Sequence, residues 1–188
     1  MKRFLRFLLV AIATLMFAIS VKAQASFFLK INKESISPCA TIYGTKSLTA
    51  QKNFGFTYFG LVSPTWAEAQ FGLYYAPAKW IQLGLNLGLE QGSSKMIRGG
   101  ASLWLGKGNS SFVALVEKGC GKGNYWYKIT LNQKIGRFDF GLRGWRYYGF
   151  GPLVQFEIIK NLKFWVMPAC GWFESDQNSL IAGLDFKF

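Results

Sequence analysis

The stretch Lys79–Glu90, KWIQLGLNLGLE, admits one regular backbone. Ile81, Leu83, Leu85, Leu87 and Leu89 share one parity, and Gln82, Gly84, Asn86, Gly88 and Glu90 share the other. A β-strand turns successive side chains to opposite faces, so this segment has one wholly apolar face and one polar or glycine face. A helix would spread the same five aliphatic residues around its whole circumference.

The pattern recurs in AEAQFGLYY, IRGGASLWL, YWYKITLN, RFDFGLRGW and LVQFEII. With NFGFTYFGL, SFVALVE, LKFWVMPACGWF and the closing SLIAGLDFKF, it predicts ten strands after residue 50. Tight turn signals separate them: APA at 76–78, QGSSK at 91–95, GKGNS at 106–110, KGCGKGN at 118–124, KIG at 134–136, YGFGP at 148–152, KN at 160–161 and ESDQNS at 174–179. Residues 24–52 are either a lead-in or, through SFFLKIN and ATIYGTK, one further hairpin that would make twelve strands. FWVMPAC is apolar on both parities and contains Pro168, which cannot donate a ladder hydrogen bond. It reads as a bulge or a protein-contact seam.

Two environments fit such alternation. A soluble sandwich turns its apolar parity to a core, and a membrane barrel turns it to lipid. Three features favour lipid. The polar parity is rich in Gly55, Gly72, Gly84, Gly88, Gly100, Gly141 and Gly183, which suits a crowded lumen better than a solvated face. Aromatic residues crowd the strand ends (Trp66, Tyr74, Tyr75, Tyr125, Tyr147, Tyr148, Phe150, Trp172 and Phe173), as the two interfacial girdles of a barrel require. Aromatic residues make up 18% of the chain and charged residues only 16%, in segments about ten residues long, the length of a tilted spanning strand. In hydrocarbon an open sheet edge would leave backbone groups unsatisfied, so such a sheet must close.

The N-terminus reads as an export signal over residues 1–23. Lys2, Arg3 and Arg6 precede an apolar run from Phe7 to Ile19, and Val21 and Ala23 supply small residues before Gln24. An uncleaved anchor helix is the competing reading. Without residues 1–23, eighteen basic residues face nine acids, a net charge of +9. The basic residues are dispersed along an exported chain, which argues against nucleic acid as a partner and for anionic lipid head groups. Cys39, Cys120 and Cys170 show neither CxxC spacing nor a histidine partner, so neither a metal nor a cofactor is expected; one disulfide is open to them in an oxidising compartment.

The leader, the hairpin series over residues 53–188 and the final Leu184, Phe186 and Phe188 together resemble the bacterial outer-membrane β-barrels, especially the small ones. The resemblance implies an all-β, closed, antiparallel up-and-down transmembrane barrel of about ten strands, with eight or twelve as alternatives. It also implies a place in the outer membrane among its lipids, with both termini and the short turns periplasmic. Lys79, Lys107, Lys134 and Lys160 then form a basic rim on that side. In that class an alternating apolar ending with a last aromatic is what the barrel-assembly machinery reads, which gives Leu184, Phe186 and Phe188 that role.

The inward parity would carry Glu68, Arg98, Glu117, Lys128, Asp139, Arg143, Glu157, Asp185 and Lys187, with Glu90 at an outer strand end. These charges fill the lumen as salt bridges or line a path for ions. Trp80, Trp104, Trp126 and Trp145 on the same parity would narrow it. Catalysis is disfavoured because the chain contains no histidine to act as general acid or base. The expected roles are a narrow small-solute channel or a structural envelope barrel. A subunit of a larger envelope or secretion assembly with a protein partner, and a soluble exported β-sandwich binding protein, are the alternatives.

Overall fold

A computed structural model describes residues 22–91, 96–171 and 177–188. Twelve strands run through them: β1 (Lys22–Ile31), β2 (Ile36–Ser47), β3 (Phe54–Val62), β4 (Ala67–Ala78), β5 (Ile81–Gln91) and β6 (Ile97–Lys107). β7 (Ser110–Gly119), β8 (Tyr125–Ile135), β9 (Phe138–Trp145), β10 (Gly149–Ile159), β11 (Leu162–Ala169) and β12 (Ser179–Lys187) complete the series. Each strand pairs antiparallel with the next, and β1 pairs with β12 from Gln24↔Lys187 to Ile31↔Leu180, which closes the sheet into a barrel. A two-layer sandwich is thereby ruled out, and no strand of the barrel keeps an unpaired edge.

The count is twelve rather than about ten because β1 and β2 form a full hairpin within residues 24–52. Their pattern was obscured at Phe28 and Cys39, two apolar residues on the inward parity, which are 4% and 6% exposed. The predicted leader lies mostly outside the described residues, as do parts of the turns at 91–95 and 174–179. Lys22 and Ala23 already belong to β1, and the Ala23 and Phe188 backbones exchange both hydrogen bonds, at 3.2 and 3.0 Å.

β11 corrects another expectation. It keeps continuous register with β12 through Pro168↔Leu180, so Pro168 marks no bulge there. The register shift of β10 falls instead between Glu157 and Ile159, next to the tight turn where Asn161 adopts φ 73°. The second apolar parity of β11, Trp165 and Met167, points inward, and both are essentially inaccessible.

Outside, the barrel is a belt of exposed apolar side chains. Leu83, Leu85, Leu87 and Leu89 project from β5, Leu85 with 71% of its surface uncovered, and Phe27, Phe71, Leu131 and Phe140 extend the belt. A surface of this kind belongs in hydrocarbon. Leu184, Phe186 and Phe188 lie on the same outer face, and the Phe186 and Phe188 rings meet edge-on at 5.1 Å. The aromatic girdle is thinner than the sequence implied. Tyr75, Tyr125 and Tyr147 are exposed, whereas Tyr74 is 6% exposed on the inward parity. Trp172 and Phe173 lie outside the described residues.

Inside, one half of the wall is packed with large side chains. Phe28, Trp145, Leu153, Trp165, Met167, Ala169 and Ile181 form a buried cluster, with Trp126 and Tyr148 against it. Each of Phe28, Leu153, Met167 and Ile181, fully buried, contributes roughly 1.5–3 kcal/mol. Gly183 makes room for it: a Cβ there would lie 2.6 Å from the Phe27 carbonyl oxygen and 2.9 Å from the Trp165 ring.

Candidate functional site

The lumen divides into an acidic end and a cationic, aromatic middle. At the end opposite the termini, β4 to β7 bring Glu68, Glu90, Arg98 and Glu117 together, because each is an inward residue close to a strand end. Arg98 Nε lies 3.0 Å from Glu68 and 2.7 Å from Glu117, and its Nη1 lies 2.7 Å from Glu90. The four side chains are at most 9% exposed. Arg98 Nη1 also donates to Asn124 Oδ1 at 2.9 Å, and Asn124 Nδ2 donates to Glu90 Oε1 at 2.5 Å. Trp66 donates its indole N–H to Glu68 at 3.2 Å, and its ring lies 5.5 Å from the guanidinium. Gly119 completes the enclosure, since a Cβ there would stand 2.6 Å from Glu90 Oε1.

Three carboxylates on one guanidinium leave a formal excess of negative charge, held by neutral donors at close range. The sequence pointed to Glu68, Arg98 and Glu117 separately. Glu90, expected on the polar parity at an outer strand end, is the penultimate residue of β5 and is 1% exposed.

Deeper in, the lumen narrows around Lys128, Arg143 and Asp185. A cavity of about 70 Å³ lies between Phe28, Trp126, Lys128, Arg143, Trp165 and Asp185, with Trp145 also in its wall. Asp185 accepts from Trp165 Nε1 at 2.9 Å, from Gln24 Nε2 at 3.0 Å and from the Ser26 hydroxyl. Arg143 Nε donates to Thr130 Oγ1 at 3.2 Å, and its guanidinium lies 5.0 Å from the Trp165 ring. Lys128 Nζ stands 4.6 Å from the Trp145 ring. Of the four tryptophans expected inside, Trp126 and Trp145 are there. Trp165 joins them. Trp80 sits in the β4–β5 turn and is 56% exposed, while Trp104 keeps the inward parity opposite Gln82, is 37% exposed near the strand end and covers Gly106.

Near the terminal end, Asp139 pairs with Lys163, and Glu157 lies 3.4 Å from Lys134 at a half-exposed contact. Lys187 is exposed at the rim. Cys39, Cys120 and Cys170 are all free thiols. Among the described residues no group of acidic, cysteine or histidine side chains is arranged to hold a metal ion.

A closed antiparallel barrel with an apolar exterior and a charged, aromatic lumen has the fold of the porin-like outer-membrane β-barrels. Solved structures share this fold. The KdgM porin, solved alone and in complex with disordered oligogalacturonate, superposes with a TM-score of 0.58 at 12% identity, over 88% of this chain and 99% of that one. The NanC porin gives 0.56 at 9% identity, over 88% and 100%. An active-site mutant of outer membrane phospholipase A from Escherichia coli gives 0.54 at 15% identity, over 89% of each chain. At such identities the likeness is one of fold, and that fold serves both porins and a phospholipase. No protein-family model and no curated protein sequence matches the chain.

Proposed function

We propose that this protein is an integral outer-membrane barrel of channel type, non-enzymatic, whose constricted lumen passes ions and very small solutes only. The observation that carries the reading is the mid-lumen cavity of about 70 Å³, closed in by Trp126, Trp145, Trp165 and Phe28. Such a space has room for a few water molecules or a small ion. A sugar chain of the kind bound by the KdgM porin is far larger than this space, so that substrate is not carried over. The phospholipase likeness is not carried over either, because a chain without histidine lacks the usual general base for ester hydrolysis.

In the membrane, both termini and the short turns bearing Lys107, Lys134 and Lys160 face the periplasm. The Arg98 cluster then lies at the outer mouth. Planar-bilayer recording of the purified barrel tests the proposal. Small, steady steps are expected, together with no swelling of proteoliposomes in isosmotic disaccharide. Disaccharide-driven swelling or wide-pore conductance would overturn it. A second reading, a structural envelope barrel, is favoured by the dense filling of the β9–β12 side, and complete silence in the bilayer would select it. A stoichiometric protein co-purifying from membranes would instead mark it as a subunit of a larger envelope assembly.

Assembly depends on the last strand in this proposal. Leu184, Phe186 and Phe188 present the outward apolar row that the barrel-assembly machinery would engage. Deleting Phe188 should lower the heat-modifiable, membrane-inserted fraction severalfold in cells while leaving synthesis unchanged. Undiminished insertion would remove the role.

A further inference from the structure

The mid-lumen cavity is lined by donors without matching acceptors. Lys128 contributes an ammonium and Arg143 a guanidinium, against the single carboxylate of Asp185. Both Asp185 oxygens are already taken by Trp165, Gln24 and Ser26. Among the described residues no carboxylate lies within ion-pair distance of Lys128 or Arg143. The positive charges rest instead on the faces of Trp145 and Trp165, at 4.6 and 5.0 Å. Trp145 supplies a third, independent sign. It is 2% exposed, and its indole Nε1–H has no protein acceptor. A buried N–H of this kind is costly unless an acceptor meets it.

Two cations and one anion leave the wall with a formal charge of +1, in a small and partly enclosed space. Buried charge of one sign is retained when a counter-charge accompanies it. From these three donors we infer that the cavity binds one small monovalent inorganic anion of halide size, held by Lys128 Nζ, the Arg143 guanidinium and Trp145 Nε1–H. The volume of about 70 Å³ suits a halide with at most a little water, and it rejects a sugar acid or a lipid head group. In the channel reading this site sets anion preference at the constriction. The inference rests on the lumen described for that reading, but it concerns binding and holds whether or not the barrel conducts.

Iodide is the probe, because it quenches indole fluorescence on contact and Trp126, Trp145 and Trp165 surround the cavity. The full barrel in detergent micelles is titrated with sodium iodide, with sodium gluconate holding ionic strength constant. A saturable quenching component is expected above the linear, collisional quenching of exposed tryptophans. Lys128→Gln should weaken it at least about tenfold, the effect of removing one charged donor. Lys128→Arg should retain it. Purely linear quenching, or saturation unchanged by Lys128→Gln, would overturn the site. A bromide-soaked crystal of the unaltered protein gives a second reading that no folding defect can confuse. An anomalous peak between Lys128 and Trp145 supports the site, and no peak there at saturating bromide refutes it. Loss of conductance alone would leave the iodide result standing, so failure of the channel reading and failure of the site are separable.

Discussion

Replacing Arg98 with leucine should destabilise the barrel by about 3–5 kcal/mol, the usual cost of breaking a buried ion pair by removing one partner. Glu68, Glu90 and Glu117 would be left facing one another without their shared cation, in a pocket where none exceeds 9% side-chain exposure. The midpoint of urea unfolding in micelles, read by the heat-modifiable shift in gel mobility, measures the loss. Arg98→Lys should recover only part of it. An ammonium lacks the planar fork that lets Nε and Nη1 reach Glu68, Glu117, Glu90 and Asn124 together. Adding Glu117→Gln to Arg98→Leu should recover part of the loss, because only Glu68 and Glu90 then remain without the cation. If Arg98→Leu unfolds at the same urea concentration as the parent, the cluster is not the brace its geometry indicates.

Trp165→Ala should have the largest effect on permeability. The indole fills the lumen from β11, lies 5.6 Å from the Phe28 ring and donates to Asp185 at 2.9 Å. Removing it joins the 70 Å³ cavity to the volume of the lost ring and takes one of two donors from Asp185 Oδ1, which Ser26 still meets. The single-channel step should rise severalfold. Stability should fall by about 3–5 kcal/mol, as for other buried tryptophan truncations, with the wetted cavity placing it toward the low end. An unchanged step in a correctly folded variant would place the constriction elsewhere. Phe71→Ala on the lipid face is the control. It removes an aromatic ring of the outer belt and should leave the step unaltered.

These two residues differ in how openly the sequence announced them. Arg98 stood in IRGGASLWL on a clean polar parity, so its inward direction followed from periodicity alone. Trp165 stood in LKFWVMPA, where apolar residues on both parities erased the alternation. The physical cause is the lumen filling itself. Where a strand packs a hydrophobic plug on its inner face and lipid on its outer face, both faces are apolar and period-2 contrast disappears. β1 was obscured for the same reason, through Phe28. Glu90 was legible as a polar-parity residue at an outer strand end, but its pairing with Arg98 was not.

Alternation settled which side chains share a face, and closure followed from the cost of an open edge in hydrocarbon. Those are local or one-dimensional properties, and the residues of KWIQLGLNLGLE and LIAGLDFKF carry them without help. Register was a different matter. Which inward charges meet depends on how each strand slides against its neighbour, and that stagger is summed around twelve pairings before it closes. Only the closed barrel could set Arg98 against three carboxylates from β4, β5 and β7. Only it could set Lys128, Arg143 and Trp145 around one small cavity with a single, already engaged, carboxylate.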